Sequence, residues 1–232
     1  MSGMKNYLII SLLILSVGFS QQEYNHNDLI KMDNGLYTVK FSDEPITGKV
    51  YGYFGEESNP KIVYIGDIRN GKREGRWKSY YHSTGKKIFD YNYKNGKLNG
   101  LNTEWYENGQ KRGEGTYKDD KEDGLITSWY ENGQKNFRGT YKDGKPDGLV
   151  TKWYENGQKE EEGTWKDGKE DGLFTEWYEN GQKSFEGTYK DGKSDGLGTE
   201  WYENGQKKYE GTIKDDELIS KNEWNEDGSV KE

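Results

Sequence analysis

Along most of this chain apolar side chains occur singly, at every second position, between short polar turns. From Gly100 the residues Leu101, Thr103 and Trp105 alternate with Asn102 and Glu104, and beyond Asn108-Gly109 a second alternating run leads through Glu114 and Thr116. A period of two belongs to β-strands. The pattern then recurs: the heptapeptide WYENGQK begins at Trp105, Trp129, Trp153, Trp177 and Trp201, 24 residues apart. Units headed by Gly100, Gly124, Gly148, Gly172 and Gly196 read close to G-L-x-T-x-W-Y-E-N-G-Q-K-x-x-x-G-T-Y-K-D-G-K-x-D. Asn-Gly and Asp-Gly lie about half a period apart in each unit, and both dipeptides favour the two-residue turn that joins antiparallel strands. Each repeat is therefore expected to be two strands.

Two-residue turns at both places set Tyr106 opposite Lys111, Trp105 opposite Arg112 and Gly139 opposite Gly148. One face then carries Leu101, Thr103 and Trp105 with Arg112, Glu114 and Thr116. The other carries Tyr106 and Tyr117, the later aromatics Phe137, Phe185 and Tyr209, and the position of Asn102 that becomes Ile126, Val150 and Phe174. Equivalent residues fall roughly 10 Å apart from repeat to repeat, so Trp is expected near Trp and Tyr near Tyr in ladders. Gly115, Gly139, Gly163, Gly187 and Gly211 leave room for a neighbouring ring to cross the strand.

Divergent copies extend the array. In Gly75 to Asn99, Tyr80-Tyr81 stands for Trp-Tyr and Thr84 is an extra residue; Thr47 to Lys72 is more distant, and Trp224 to Gly228 starts another copy. Departure from consensus is expected of terminal repeats. The fold class predicted is all-β: an elongated, single-layer antiparallel sheet of stacked β-hairpin repeats, about 24 residues each. It occupies residues 47–232, preceded by a cap or linker over 21–46.

Composition narrows the function. Mean hydropathy is -1.26, yet the chain holds 8 Trp, 19 Tyr and 7 Phe, too many rings for disorder and enough for a thin aromatic core. Residues 1–20 stand apart: Lys5 precedes the uncharged run Tyr7 to Phe19, and Gly18 and Ser20 supply small residues for a peptidase. The run is short for a membrane span of about 20 residues, so it reads as a cleaved secretory signal peptide. Its loss removes one Lys and takes the net charge from -8 to -9. With no Cys, the exported chain has neither disulfides nor a lipid-acceptor thiol. Charges alternate in sign, so neither nucleic acid nor an anionic membrane meets a basic stripe.

Catalysis is not expected. Near-identical units repeat the same groups along a line, and the two histidines, His26 and His82, have no Cys to join. Asp143 to Gly148 begins like a calcium loop, but Lys145 takes the third position and Tyr154 the twelfth. No catalytic, cofactor or metal residues are assigned. The candidate binding surface is the aromatic ladder of Trp105, Trp129, Trp153, Trp177, Trp201, Tyr106, Tyr130, Tyr154, Tyr178 and Tyr202. Those rings either form the core or, where exposed, stack on sugars or cage a quaternary ammonium.

The run Phe185-Glu186-Gly187-Thr188-Tyr189-Lys190-Asp191-Gly192-Lys193, followed by Asp195-Gly196 and Trp201-Tyr202-Glu203-Asn204-Gly205, resembles the MORN repeat, and most closely the bacterial MORN-variant family. The resemblance covers about Thr47 to Glu232. It implies stacked hairpins in a twisted sheet that serves as a binding or scaffolding surface. Many members carry an antitoxin-component label, which an export signal does not suit. Three readings follow: an exported, non-enzymatic scaffold whose partner is another protein; a carbohydrate or cell-envelope glycan binder; and an antitoxin or immunity partner.

Overall fold

The computed structural model describes residues 22–54 and 61–231; the expected signal peptide, residues 1–20, lies outside them. Four short elements come first: β1 (Glu23–Asn25), a 3-10 turn (His26–Asp28), β2 (Leu29–Lys31) and β3 (Tyr37–Val39). The divergent units supply β4 (Gly48–Phe54), β5 (Lys61–Arg69), β6 (Lys72–Tyr80), β7 (Lys87–Lys94) and β8 (Lys97–Leu98). The regular units follow as β9 (Gly100–Trp105), β10 (Lys111–Lys118), β11 (Lys121–Trp129), β12 (Lys135–Lys142), β13 (Lys145–Trp153) and β14 (Lys159–Lys166). Then come β15 (Lys169–Trp177), β16 (Lys183–Lys190), β17 (Lys193–Trp201), β18 (Lys207–Lys214) and β19 (Glu217–Glu223).

From β4 onward each strand pairs antiparallel with the next, β7 bonding both β8 and β9, in one long open sheet of 17 strands. β1 adds to its first edge, parallel to β4, while β2 and β3 form a separate hairpin. The predicted hairpin repeat is therefore the observed fold.

The two turns of each repeat differ, and one corrects the expected pairing. Asp143 and Gly144 both have positive φ, 50° and 82°, and join Lys142 to Lys145 by the anticipated two-residue turn. At the other end only Gly109 has positive φ, 93°. The Tyr106 N–H donates to the Gln110 carbonyl and the Gly109 N–H to the Tyr106 carbonyl, both at 2.9 Å. That makes a loop of Glu107, Asn108 and Gly109, and Trp105, not Tyr106, pairs with Lys111. Arg112 bulges out instead of facing Trp105, after which the anticipated register resumes at Gly113 and Glu104. Gly139 likewise pairs with Val150, not Gly148. Gly148 has a φ of 129° in a bulge that moves the register by two, an even shift that keeps Leu149 and the rest of that strand on the expected faces.

On the second face the missing side chains are filled as anticipated. A Cβ on Gly163 would fall 2.5 Å from Phe174 and 2.9 Å from Trp165. The rings of Trp165, Phe185 and Tyr189 surround Phe174 at centroid distances of 5.7 to 6.4 Å. The most buried apolar cluster lies elsewhere, in the first units: Ile46, Val50, Ile68 and Trp77, with Tyr24, Leu29, Tyr37 and Tyr93 packed around it. Among the described residues, the N-terminal segment thus adds a second layer over this cluster.

Candidate interaction surface

The first face is built from three rows. β-Strand alternation puts Leu, Thr and Trp of each outgoing strand on one side, as in Leu101, Thr103 and Trp105. Thr103, Thr127, Thr151, Thr175 and Thr199 are buried in its middle.

The tryptophans are half-buried, and each ring faces a lysine of the preceding repeat. Lys87 Nζ lies 5.0 Å from the Trp105 ring centre, Lys111 5.6 Å from Trp129, Lys135 5.6 Å from Trp153, Lys159 5.4 Å from Trp177 and Lys183 5.8 Å from Trp201. The row is therefore Trp and Lys in alternation, where Trp beside Trp was expected. The cause is the register: the loop pairs Lys111 with Trp105, so every returning strand sets a lysine between two indoles. An ammonium over an indole face gains about 0.5 to 1 kcal/mol at such exposed sites. Lys111 also reaches Glu114 at 2.6 Å and Lys159 reaches Glu162 at 2.7 Å; Lys183 pairs with Glu186 in the same way.

The tyrosines are engaged too. Tyr106, Tyr130, Tyr154, Tyr178 and Tyr202 each donate their hydroxyl to the carbonyl of the next repeat's tryptophan, at 2.7 to 3.0 Å. Beside them Asn108 Nδ2 donates to Glu131 O at 2.9 Å while its Oδ1 accepts from the Gln110 N–H at 2.8 Å. The structure thus gathers the tryptophans and tyrosines along the loop edge of the sheet, where the tyrosine hydroxyls are bonded to neighbouring repeats.

What remains open on that face is a row the ladder reading passed over. Leu101, Leu125, Leu149, Leu173 and Leu197 keep 45 to 56% of their surface exposed. Each stands opposite a threonine, Leu125 against Thr140 and Leu149 against Thr164. The signal was in the sequence: a leucine on the Trp side of every repeat, beside a flexible Gly that bulges the strand. Among the described residues no group of three or more His, Asp or Glu side chains could hold a metal ion. No helix among them is long and apolar enough to cross a membrane.

A family model described as the MORN repeat variant matches four tandem stretches, residues 98–119, 122–143, 146–167 and 170–191. The MORN repeat model itself matches residues 64–76 and 185–207. No curated protein matches the chain.

Proposed function

Because this chain belongs to the MORN repeat family, whose repeats are generally non-catalytic scaffolds for protein or membrane interaction, we propose that it is an exported scaffold that binds another protein along its leucine face. The observation that carries this reading is the row of five leucines, half-exposed, evenly spaced and flanked by threonine methyls. On so polar a chain, a half-exposed apolar row along one face marks a surface that a partner can cover. Near-identical contacts repeated along one surface favour a partner that engages several repeats at once, where weak contacts multiply. Export rests on Lys5, the run Tyr7 to Phe19 and the small residues Gly18 and Ser20.

A glycan would need the indole faces, and lysines stand over those faces. The protein reading is preferred for that reason. The test replaces Leu125, Leu149 and Leu173 by Ser, exposed changes that leave the fold intact. Chemical crosslinking in the producing cells should give a defined protein adduct with the parent chain and lose it with the triple variant. An adduct that survives the triple variant, or purified envelope glycan that shifts tryptophan emission of both chains equally, would move the binding site off the leucines.

A further inference from the structure

Where the N-terminal segment meets β4, β5 and β6, the structure holds a cavity of about 170 Å³. It gathers groups distant in sequence and outside the repeated consensus: His26, Tyr53, Ile65, Arg73, His82 and Phe89. In a chain with 42 acidic residues against 34 basic ones, none of the described residues lining this cavity is Asp or Glu.

Arg73 is its distinctive member. Its guanidinium carbon lies 4.7 Å from the Trp77 ring centre, 5.3 Å from Tyr93 and 5.4 Å from Tyr37. One terminal nitrogen donates to the Tyr93 hydroxyl at 3.0 Å. The Nε–H is buried with no hydrogen-bond partner, and among the described residues no carboxylate pairs with this cation. Arg76, three residues on, shows the alternative: it grips Asp90 with Nε at 2.5 Å and a terminal nitrogen at 2.6 Å. A buried donor left unmade costs about 1 to 3 kcal/mol, more when charged, and a guanidinium offers a fork that fits a carboxylate. His26 feels the same field. Partial desolvation first, and then the Arg73 charge, hold its imidazole below the ordinary histidine range, so near neutral pH it is an uncharged donor or acceptor.

We propose that this cavity binds a small organic carboxylate carried on a compact apolar or aromatic body, with Arg73 as the anion-binding residue. The anion would take the terminal guanidinium N–H groups that Tyr93 leaves free, and Ile65, Tyr53 and Phe89 would cover the apolar body. An enclosed space of about 150 Å³ accepts a benzene ring, which sets the size class. The site is independent of the leucine face.

Benzoate is the probe, with neutral benzamide as its isostere, titrated against the whole chain by ligand-observed NMR and calorimetry. Benzoate should bind with a Kd of about 1 mM or tighter, and benzamide about tenfold more weakly. Arg73→Met should abolish benzoate binding. His82→Glu, a change at an exposed position on the cavity wall, should weaken it about threefold or more through added negative charge. Equal affinity for benzoate and benzamide, no benzoate binding at about 1 mM, or undiminished binding by folded Arg73→Met would overturn the proposal. Should Arg73→Met fail to fold, unchanged benzoate affinity in His82→Glu would overturn it.

Discussion

The phenolic hydroxyl of Tyr154 donates a hydrogen bond to the main-chain oxygen of Trp177, 2.7 Å away and one repeat further along the chain. Asn156 Nδ2 makes the parallel bond to Glu179 O at 2.9 Å. Each Asn-Gly loop of the regular array is thereby tied to the next by side chains as well as by the strand ladder. Stability in such an array is a sum of unit terms and nearest-neighbour terms, and these bonds belong to the second kind.

Tyr154→Phe keeps the ring and removes the bond. The expected loss is about 0.5 to 1.5 kcal/mol, read from urea unfolding, with faster amide exchange in the loops at Tyr154 and Tyr178. Unchanged stability together with unchanged exchange would show that the hydroxyl contributes nothing to coupling.

Gly163→Ala drives a methyl into Phe174 and Trp165. A loss of about 1 to 3 kcal/mol is expected from overpacking. Phe174→Gly mimics Gly198, the residue at the same place one repeat on, and in that background the alanine should cost clearly less. Additive losses in this double-mutant cycle would place the strain elsewhere.

Lys135→Met isolates the ammonium above Trp153, since Arg138 stands where other repeats have the paired glutamate. It should cost about 0.5 to 1 kcal/mol. Acrylamide quenching in a variant that keeps Trp153 as its sole repeat tryptophan should change with the lysine; identical quenching and stability would remove the cation from the account.

Glu176 sits directly across the strand pair from Glu161. Desolvation first, and Glu161 next, raise its carboxyl above the ordinary 4.5. A proton therefore binds the folded form more tightly than the unfolded one, so this contribution is complete below pH 4.5 and disappears as pH rises through the folded value. Glu176→Gln should stabilise the chain at neutral pH by less than about 1 kcal/mol, given its exposure, and the gain should vanish in unfolding measured below pH 4. A gain that persists there would rule out charge as the cause.

The strands, their two-residue period, the two sheet faces and the Asp-Gly turns were all legible in the repeat. Local rules govern them: alternation across a strand, and positive φ at Asp143 and Gly144. Asn-Gly obeyed a different rule. Asn108 spends its side chain on Gln110 and on Glu131 of the next repeat, and a three-residue loop offers that geometry where a two-residue turn does not. No reading of one repeat alone contains a bond to the following one.

By itself, then, the sequence determined the hairpin array and, away from the loop exit at Lys111 and Arg112, which residues share each face, because period and turn chemistry act over a few residues. Only the tertiary structure decided that lysine stands between the tryptophans, that the tyrosine hydroxyls are spent on neighbouring carbonyls and that leucine is left exposed. It also joined His26, Arg73 and His82 in one cavity. Those outcomes follow from bulges that shift the register and from the N-terminal segment folding back on β4 to β6, both settled by contacts between segments far apart in the chain.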